Sequence, residues 1–538
     1  MIAMPPLRDR TVQRVMQRNL ERIPDRPAVS DETCALTHAQ LWHSACRCAG
    51  GLRRAGIGEG DVVLLMLDNS VDYFVVFAAL SFLGATSVPT NTAYKGTILR
   101  HVFKDSGATT AIVEDHYLSA VCDAADDHLT SIVVRGMSSA TLATGVAPDA
   151  EHVLINYSEL ACGVQIDPID VLPSHVVAVM YTSGTTGWSK GALTSQAAAF
   201  AICFYPQVYG PHDESDVILV VCPMFHATGL FGGVYGVLQL GASAHIVRGF
   251  SASRFWDDVR AVGATSTILV GAMFEFIAQQ PARADDRAHP LRTAFVLPRP
   301  ASFAAIADRF GIMTATSFGG TEAGSVINNL SQDRERFGSM GQVRPGWQVR
   351  LVDANDIEVA PGQPGEAIIR CEEPWAMATG YVNNPQASAA LWRNGWLHTG
   401  DLLRRDAEGW FYFVDRAKDC IRRRGENISS IEVEVEVVSH PDVDECAAIG
   451  VGDPRVDQEV KVFVRRREGS TLTEAGLIHY LVDRMPYYSV PRYVVFVEDY
   501  PRTSTGKIRK VELDRDRAAG WDRETAGITV KRSQPVTR

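Results

Sequence analysis

Residues 181–191 read Tyr-Thr-Ser-Gly-Thr-Thr-Gly-Trp-Ser-Lys-Gly and carry the strongest chemical signal in the chain. Three glycines, five Ser/Thr hydroxyls and one lysine share these eleven positions, directly after the apolar run Val176–Met180. Glycines let backbone N–H groups turn toward an anion, hydroxyls add donors, and Lys190 adds a positive charge. A buried strand that empties into such a loop suits a polyphosphate. The spacing is not that of a Walker A loop, in which glycine and lysine are adjacent. Clusters of Gly, Ser and Thr are commonly plain loops. Here the strand in front and the lysine behind favour phosphate.

Four further segments follow in order: Ser317-Phe318-Gly319-Gly320-Thr321-Glu322, Gly395-Trp396-Leu397-His398-Thr399-Gly400-Asp401, Asp415-Arg416-Ala417-Lys418-Asp419 with Gly425-Glu426-Asn427-Ile428, and Pro501-Arg502-Thr503-Ser504-Thr505-Gly506-Lys507. Together with the first, they resemble the signatures of the adenylate-forming superfamily. That group includes acyl-CoA synthetases, non-ribosomal adenylation domains and beetle luciferases. The resemblance spans most of the chain. It implies an enzyme that uses ATP and Mg²⁺ to join a carboxylic acid to AMP, releasing pyrophosphate. The acyl group then passes to a thiol, usually that of coenzyme A. The chemistry explains the need: a carboxylate is a poor acyl donor, whereas its mixed anhydride with AMP has a good leaving group. Joining two anions requires positive charge where negative charge develops.

The resemblance also implies roles. Thr182, Ser183, Gly184, Thr185, Thr186, Gly187 and Lys190 would hold the β- and γ-phosphates. Thr321 would contact the α-phosphate, and Glu322 would hold Mg²⁺. Phe318 stands where tyrosine usually stacks on adenine, and Gly319 and Gly320 belong to the same nucleotide signature. Asp401, helped by Arg416, would accept hydrogen bonds from the ribose hydroxyls. Lys507 would bridge the substrate carboxylate and the α-phosphate. Lys418 is the hinge position, about which a small domain would rotate to bring Gly425 to the thiol tunnel. Phe225-His226 matches the pair that separates thiol tunnel from acyl pocket in acyl-CoA ligases. Amino-acid-activating domains usually carry aspartate there instead. A lone histidine is often a satisfied core group.

The chain departs from the pattern in places. Thr293–Pro300 replaces a Gly-Gly-Ala-Pro-like turn, Trp188-Ser189 stands where proline usually precedes the lysine, and Arg424 replaces a common glycine. The first two traits, with the spacing around Gly425, look closest to carnitine/crotonobetaine-type CoA ligases. The acyl pocket is expected to draw on Val234, Gly271, Met273, Phe274 and the segment near Ser317. These are apolar or small, which favours a hydrophobic acid, medium to long or bulky and cyclic. An acyl-AMP ligase that loads a carrier protein shares every motif, as does a luciferase-like oxygenase. Intact Lys507, Glu322 and Asp401 argue against a catalytically dead binding protein.

The elements must position these groups over 538 residues, too many for one core. The first four hundred residues alternate strand and helix patterns: strand at 61–67, helix at 72–83, and strands at 86–89, 111–113 and 217–221. This predicts an α/β fold of layered sheets covered by helices. Short strands with Pro/Gly turns around 341–370 predict a β-rich subdomain. After Asp415 the texture becomes a small α+β segment, with a helix over 473–485 and strands over 459–464 and 493–497. The expected division is a large N-terminal adenylating domain, 1–417, hinged to a small mobile C-terminal domain, 418–538.

Composition sets the remaining bounds. Net charge is −11, from 52 basic and 63 acidic residues, which argues against a general nucleic-acid binder. Ten scattered cysteines without metal spacing suggest reduced thiols in a cytoplasmic protein. Residues 217–247 hold almost no charge, but Pro223 and several glycines divide them into strand, loop, helix and strand. They read as buried core and not as a membrane span. No secretory signal is visible at 1–26. The expected partners are a small carboxylic acid, ATP and coenzyme A, with a monomer or homodimer as the assembly.

Overall fold

The computed structural model describes residues 4–125, 128–137, 153–182, 188–202, 204, 212–297, 299, 303–416, 420–424, 426–453, 457–501, 508–515 and 519–530. Short β-branched runs buried on both faces form parallel strands there, because helices cover both sides. Among the described residues, one sheet has seven strands, in the order Val153–Asn156, Ser131–Arg135, Thr110–Glu114, Val62–Met66, Thr86–Pro89, Val176–Thr182, Lys190–Ser195. Its pairs are parallel except the last, an antiparallel hairpin that turns at the predicted phosphate loop. A second sheet has nine strands, with Val217–Val220, Ser243–Ile246, Ser266–Val270 and Thr293–Leu297 parallel at its centre. Met313–Gly320 extends it and folds back as the antiparallel strand Gly324–Asn329.

The helix Val71–Leu83 explains how the two sheets share a core. It is apolar all round, and every residue but Asp72 is buried. Ser70 Oγ caps it, accepting from the Tyr73 N–H at 3.2 Å. Gly84 ends it in the left-handed region, at φ 70°. Around it lie Leu65 of the first sheet, Ile218 and Val220 of the second, and Phe231 of the helical stretch Thr228–Leu240.

Residues 217–247 form the buried strand Val217–Val220, a loop, a helical stretch over Thr228–Leu240 and the strand Ser243–Ile246, as expected. Among the described residues no helix is long and apolar enough to cross a membrane. The β-rich region is an antiparallel sheet of Trp347–Val352, Gly365–Cys371, Trp396–Arg405, Trp392–Arg393 and Phe411–Arg416.

The C-terminal part has its own hairpin, Cys420–Arg423 with Glu426–Ser429, and its own sheet of Val443–Asp453, Asp457–Arg466, Tyr493–Phe496 and Trp521–Asp522. Helices Ser430–Val438 and Glu474–Val482 cover one face of that sheet, burying Val433, Val437, Leu477, Ile478 and Leu481. The second helix is shorter than its sequence pattern. It stops at Val482 because Pro486 lies just beyond, although Met485 remains buried. The opposite face buries Ala447, Ile449, Val451, Phe463 and Tyr500, with Ile508 packed against them. Cys46 and Cys48 are free, and burial pushes both thiols up to about 12.

Candidate active site

The hairpin registers Thr182 opposite Lys190 at the base of the predicted phosphate loop. Ser183, Gly184, Thr185, Thr186 and Gly187 lie outside the described residues. Thr182 Oγ1 donates to Glu322 Oε1 at 3.1 Å, so the two leading signatures meet although 140 residues separate them. Tyr381 donates its phenol to the same oxygen at 2.8 Å, and Lys190 Nζ sits 5.4 Å from the centre of the Tyr381 ring. Burial and then the Glu322 carboxylate push the Tyr381 phenol well above its ordinary range. Among the described residues Glu322 Oε2 accepts no hydrogen bond. A half-buried carboxylate oxygen of this kind is a hard donor that suits Mg²⁺.

Gly319 and Gly320 end the strand that leads into the turn of Thr321, Glu322 and Ala323. Gly319 has a packing reason as well as the expected nucleotide one. A Cβ there would lie 1.7 Å from the Gly324 carbonyl oxygen, so no other residue allows the strands to close this tightly. Phe318 is only 6% exposed and packs with Val326, Ile327 and Trp347 in the apolar cluster beneath the hairpin.

Asp401 lies opposite Arg416 on neighbouring strands. Gly400, at φ 71°, makes the bend before Asp401, and its N–H donates to Glu366 Oε1 at 3.0 Å. Lys418 and Gly425 lie outside the described residues, as does Lys507. The neighbours of Lys507 are placed: Pro501 O accepts from Arg509 N–H at 2.8 Å, and Tyr500 and Ile508 pack on the C-terminal sheet away from its helices.

His226 is met from the other end of the chain. Its Nε2 lies 3.1 Å from Glu426 Oε2, one residue after Gly425. Burial opposes protonation of this histidine, but the charge and hydrogen bond of Glu426 outweigh it and raise its pKa. The loop bearing His226 is clamped by Asn69, whose amide donates to Cys222 O at 3.0 Å and accepts from Met224 N–H at 2.8 Å. Beside it opens a cavity lined by Leu67, Asp68, Asn69, Phe225, Arg248 and Met273, among others. Burial disfavours the Asp68 charge, but hydrogen bonds from His116, Arg248 and Tyr117 hold its carboxyl well below the usual range.

The residues expected around the acyl group lie in different surroundings. Met273 lines this cavity, but Val234 is fully buried in the main core and Phe274 packs in a second core. Helical periodicity cannot distinguish a face turned to a cavity from one turned to core. Ser317 is buried and donates to Ser325 Oγ at 3.2 Å.

More contacts cross from the N-terminal part to the C-terminal part. Ser189 N–H donates to Glu432 Oε1 at 2.8 Å, and Ser189 Oγ bonds the same oxygen. Burial raises the Glu432 pKa, with the Ser189 bonds pulling the other way. Thr97 Oγ1 bonds Glu436, and Asn91 Nδ2 donates to the Tyr488 phenol at 2.8 Å. The sequence reading gave no role to Tyr381, Asn69, Glu426 or Glu432. Glu426 had a signal, its place beside Gly425 within a signature. The others act through tertiary contacts that no local spacing encodes.

The geometry has counterparts among known proteins. Residues 16–382 match the family described as AMP-binding enzyme, and residues 432–507 match the AMP-binding enzyme C-terminal domain. A probable CoA ligase of Humulus lupulus is 31% identical over 489 residues, covering 88% of this chain and 90% of that protein. A crotonobetaine/carnitine–CoA ligase of Salmonella arizonae is 30% identical over 502 residues, covering 91% of this chain and 96% of that protein. Among solved structures, the o-succinylbenzoate CoA synthetase of Bacillus subtilis with a bound product analogue matches at a TM-score of 0.79. It is 22% identical and covers 93% of this chain and 98% of that one, a likeness of fold.

Proposed function

Since the chain belongs to the AMP-binding enzyme family, we propose that it is an ATP-dependent acid–thiol ligase that makes acyl-CoA from a hydrophobic carboxylic acid. The observation that carries this reading is the meeting of the phosphate hairpin with Glu322, where Thr182, Lys190 and Tyr381 converge. In this proposal Glu322 would hold Mg²⁺, and the metal would supply charge neutralisation on the phosphates. Lys190 and the hydroxyls and N–H groups of the loop orient the β- and γ-phosphates. Thr321 steadies the α-phosphate, and Asp401 with Arg416 holds the ribose. Lys507 bridges the two anions that must meet during adenylation. The cavity beside Phe225 offers Leu67, Val221, Phe250 and Met273 to an apolar acyl or pantetheine chain.

The second half-reaction uses a different face of the small domain, 418–538, which turns against the large domain, 1–417, about Lys418. Glu426 on His226 fits the orientation in which Gly425 borders the thiol path. The relatives named as CoA ligases support coenzyme A as the acceptor. A panel of acids assayed for pyrophosphate release, with coenzyme A or a carrier-protein thiol, tests the proposal. Release with an apolar acid, and acyl-CoA as product, is expected. Release without discharge to coenzyme A points to the carrier protein, and no release from any acid refutes the ligase.

A further inference from the structure

Resting on that ligase reading, we infer that Glu432 and Ser189 form a latch that positions the small domain for thiol transfer once pyrophosphate has left. Ser189 belongs to the phosphate segment itself and immediately precedes Lys190. Its side chain and N–H both serve Glu432 Oε1, and both residues are almost fully buried, at 2% and 6% exposure. The carbonyl of Ser189 is held from the large domain by His101 Nε2 at 2.8 Å, and the Trp188 ring stacks on His101. The trailing end of the phosphate segment is thus gripped by both halves of the molecule.

Glu432 stands three residues after the cap Ser429, in the first turn of the Ser430–Val438 helix. That helix also offers Glu436 to Thr97, so its docked face is acidic. A buried carboxylate without donors is strongly disfavoured, and Ser189 supplies two. A polyphosphate held by Thr182 and Lys190 would place several negative charges one residue from Ser189. Within a desolvated interface, charges of like sign repel far more than in water. Occupancy by ATP or pyrophosphate and docking of Glu432 therefore compete. Departure of pyrophosphate removes the repulsion and leaves Ser189 to the carboxylate. The latch acts through domain position, so Glu432 and Ser189 are positioning residues.

The test uses the full chain with Glu432→Ala and Glu432→Gln, the latter keeping shape without charge. Two half-reactions are read separately: pyrophosphate release without coenzyme A, and thioester formation from pre-made acyl-AMP. Glu432→Ala should lower thioester formation about tenfold or more and leave adenylation within about twofold. The charge argument is read by calorimetry of coenzyme A binding to the complex with an inert acyl-sulfamoyl adenosine. Added inorganic pyrophosphate should weaken coenzyme A binding to the wild type about tenfold and to Glu432→Gln less than about threefold. Equal losses in both half-reactions, an unaffected thioester step, or the same pyrophosphate effect in Glu432→Gln overturns the latch while the ligase stands. A wild type that releases no pyrophosphate from any acid overturns the ligase and the latch together.

Discussion

Glu322 draws its two donors from Thr182 and Tyr381, so its orientation depends on residues far away in sequence. A hydrogen bond to a charged acceptor contributes about 1.5–3 kcal/mol, so Tyr381→Phe should raise the KM for MgATP about tenfold or more. An unchanged KM across a Mg²⁺ titration would remove Tyr381 from the site. Phe318 invites a different expectation from the one its position in the signature suggests. Because the ring is buried in a cluster, Phe318→Ala should cost about 3–5 kcal/mol of stability. Denaturant unfolding checks this, and a nucleotide defect without a stability loss would contradict it. His226 and Glu426 give a pH dependence. Glu426 raises the His226 pKa, so protonation and docking favour each other. That contribution is fully present below the ordinary histidine value, about 6.5, and fades as pH rises through the raised value. The thioester step should therefore weaken relative to adenylation on the alkaline side, and Glu426→Gln should flatten that difference. At this scale, residue types were legible where a motif fixed the spacing, as for Thr182, Lys190 and Glu322. Tyr381 and Asn69 were not, because their partners are found only after the chain folds.

Among the elements, the hairpin of Cys420–Arg423 and Glu426–Ser429 carries a visible strain. Arg424 sits at φ 52°, a conformation that disfavours a side chain by about 1–2 kcal/mol. Arg424→Gly should therefore stabilise this hairpin by about 0.5–1 kcal/mol net of the greater chain entropy of glycine. Hydrogen exchange at Ile421 and Ile428 reads the gain, and faster exchange would contradict it. The departure from glycine was visible in the sequence, but its meaning required the backbone angle. Element types were legible wherever composition was decisive. The apolar helix at 71–83 and the strands at 62–66, 86–89 and 217–220 followed from runs of buried residues. Ends were less legible, as Met485 shows: it continues the apolar face yet lies past the helix, which Pro486 stops. The surroundings of apolar helical residues were least legible, because Val234 and Phe274 satisfy the same pattern whether they face a cavity or a core.

At the scale of the whole molecule, the proposal is that one small domain serves two reactions with two faces. The face with Glu426, Glu432 and Glu436 meets the N-terminal part of the chain here, at His226, Ser189 and Thr97. The neighbours of Lys507 pack on the other side of the same sheet. Motifs made the order of the parts legible, but no local signal says which face docks, since that depends on contacts between segments hundreds of residues apart. The most direct measurement quantifies acyl-AMP and acyl-CoA separately for Lys507→Ala in single turnover. Loss of one charge-assisted contact to the adenylation transition state should cut acyl-AMP formation about a hundredfold or more. Thioester formation from pre-made acyl-AMP should stay within a few-fold of wild type. Equal loss in both half-reactions would contradict the division of labour between the two faces.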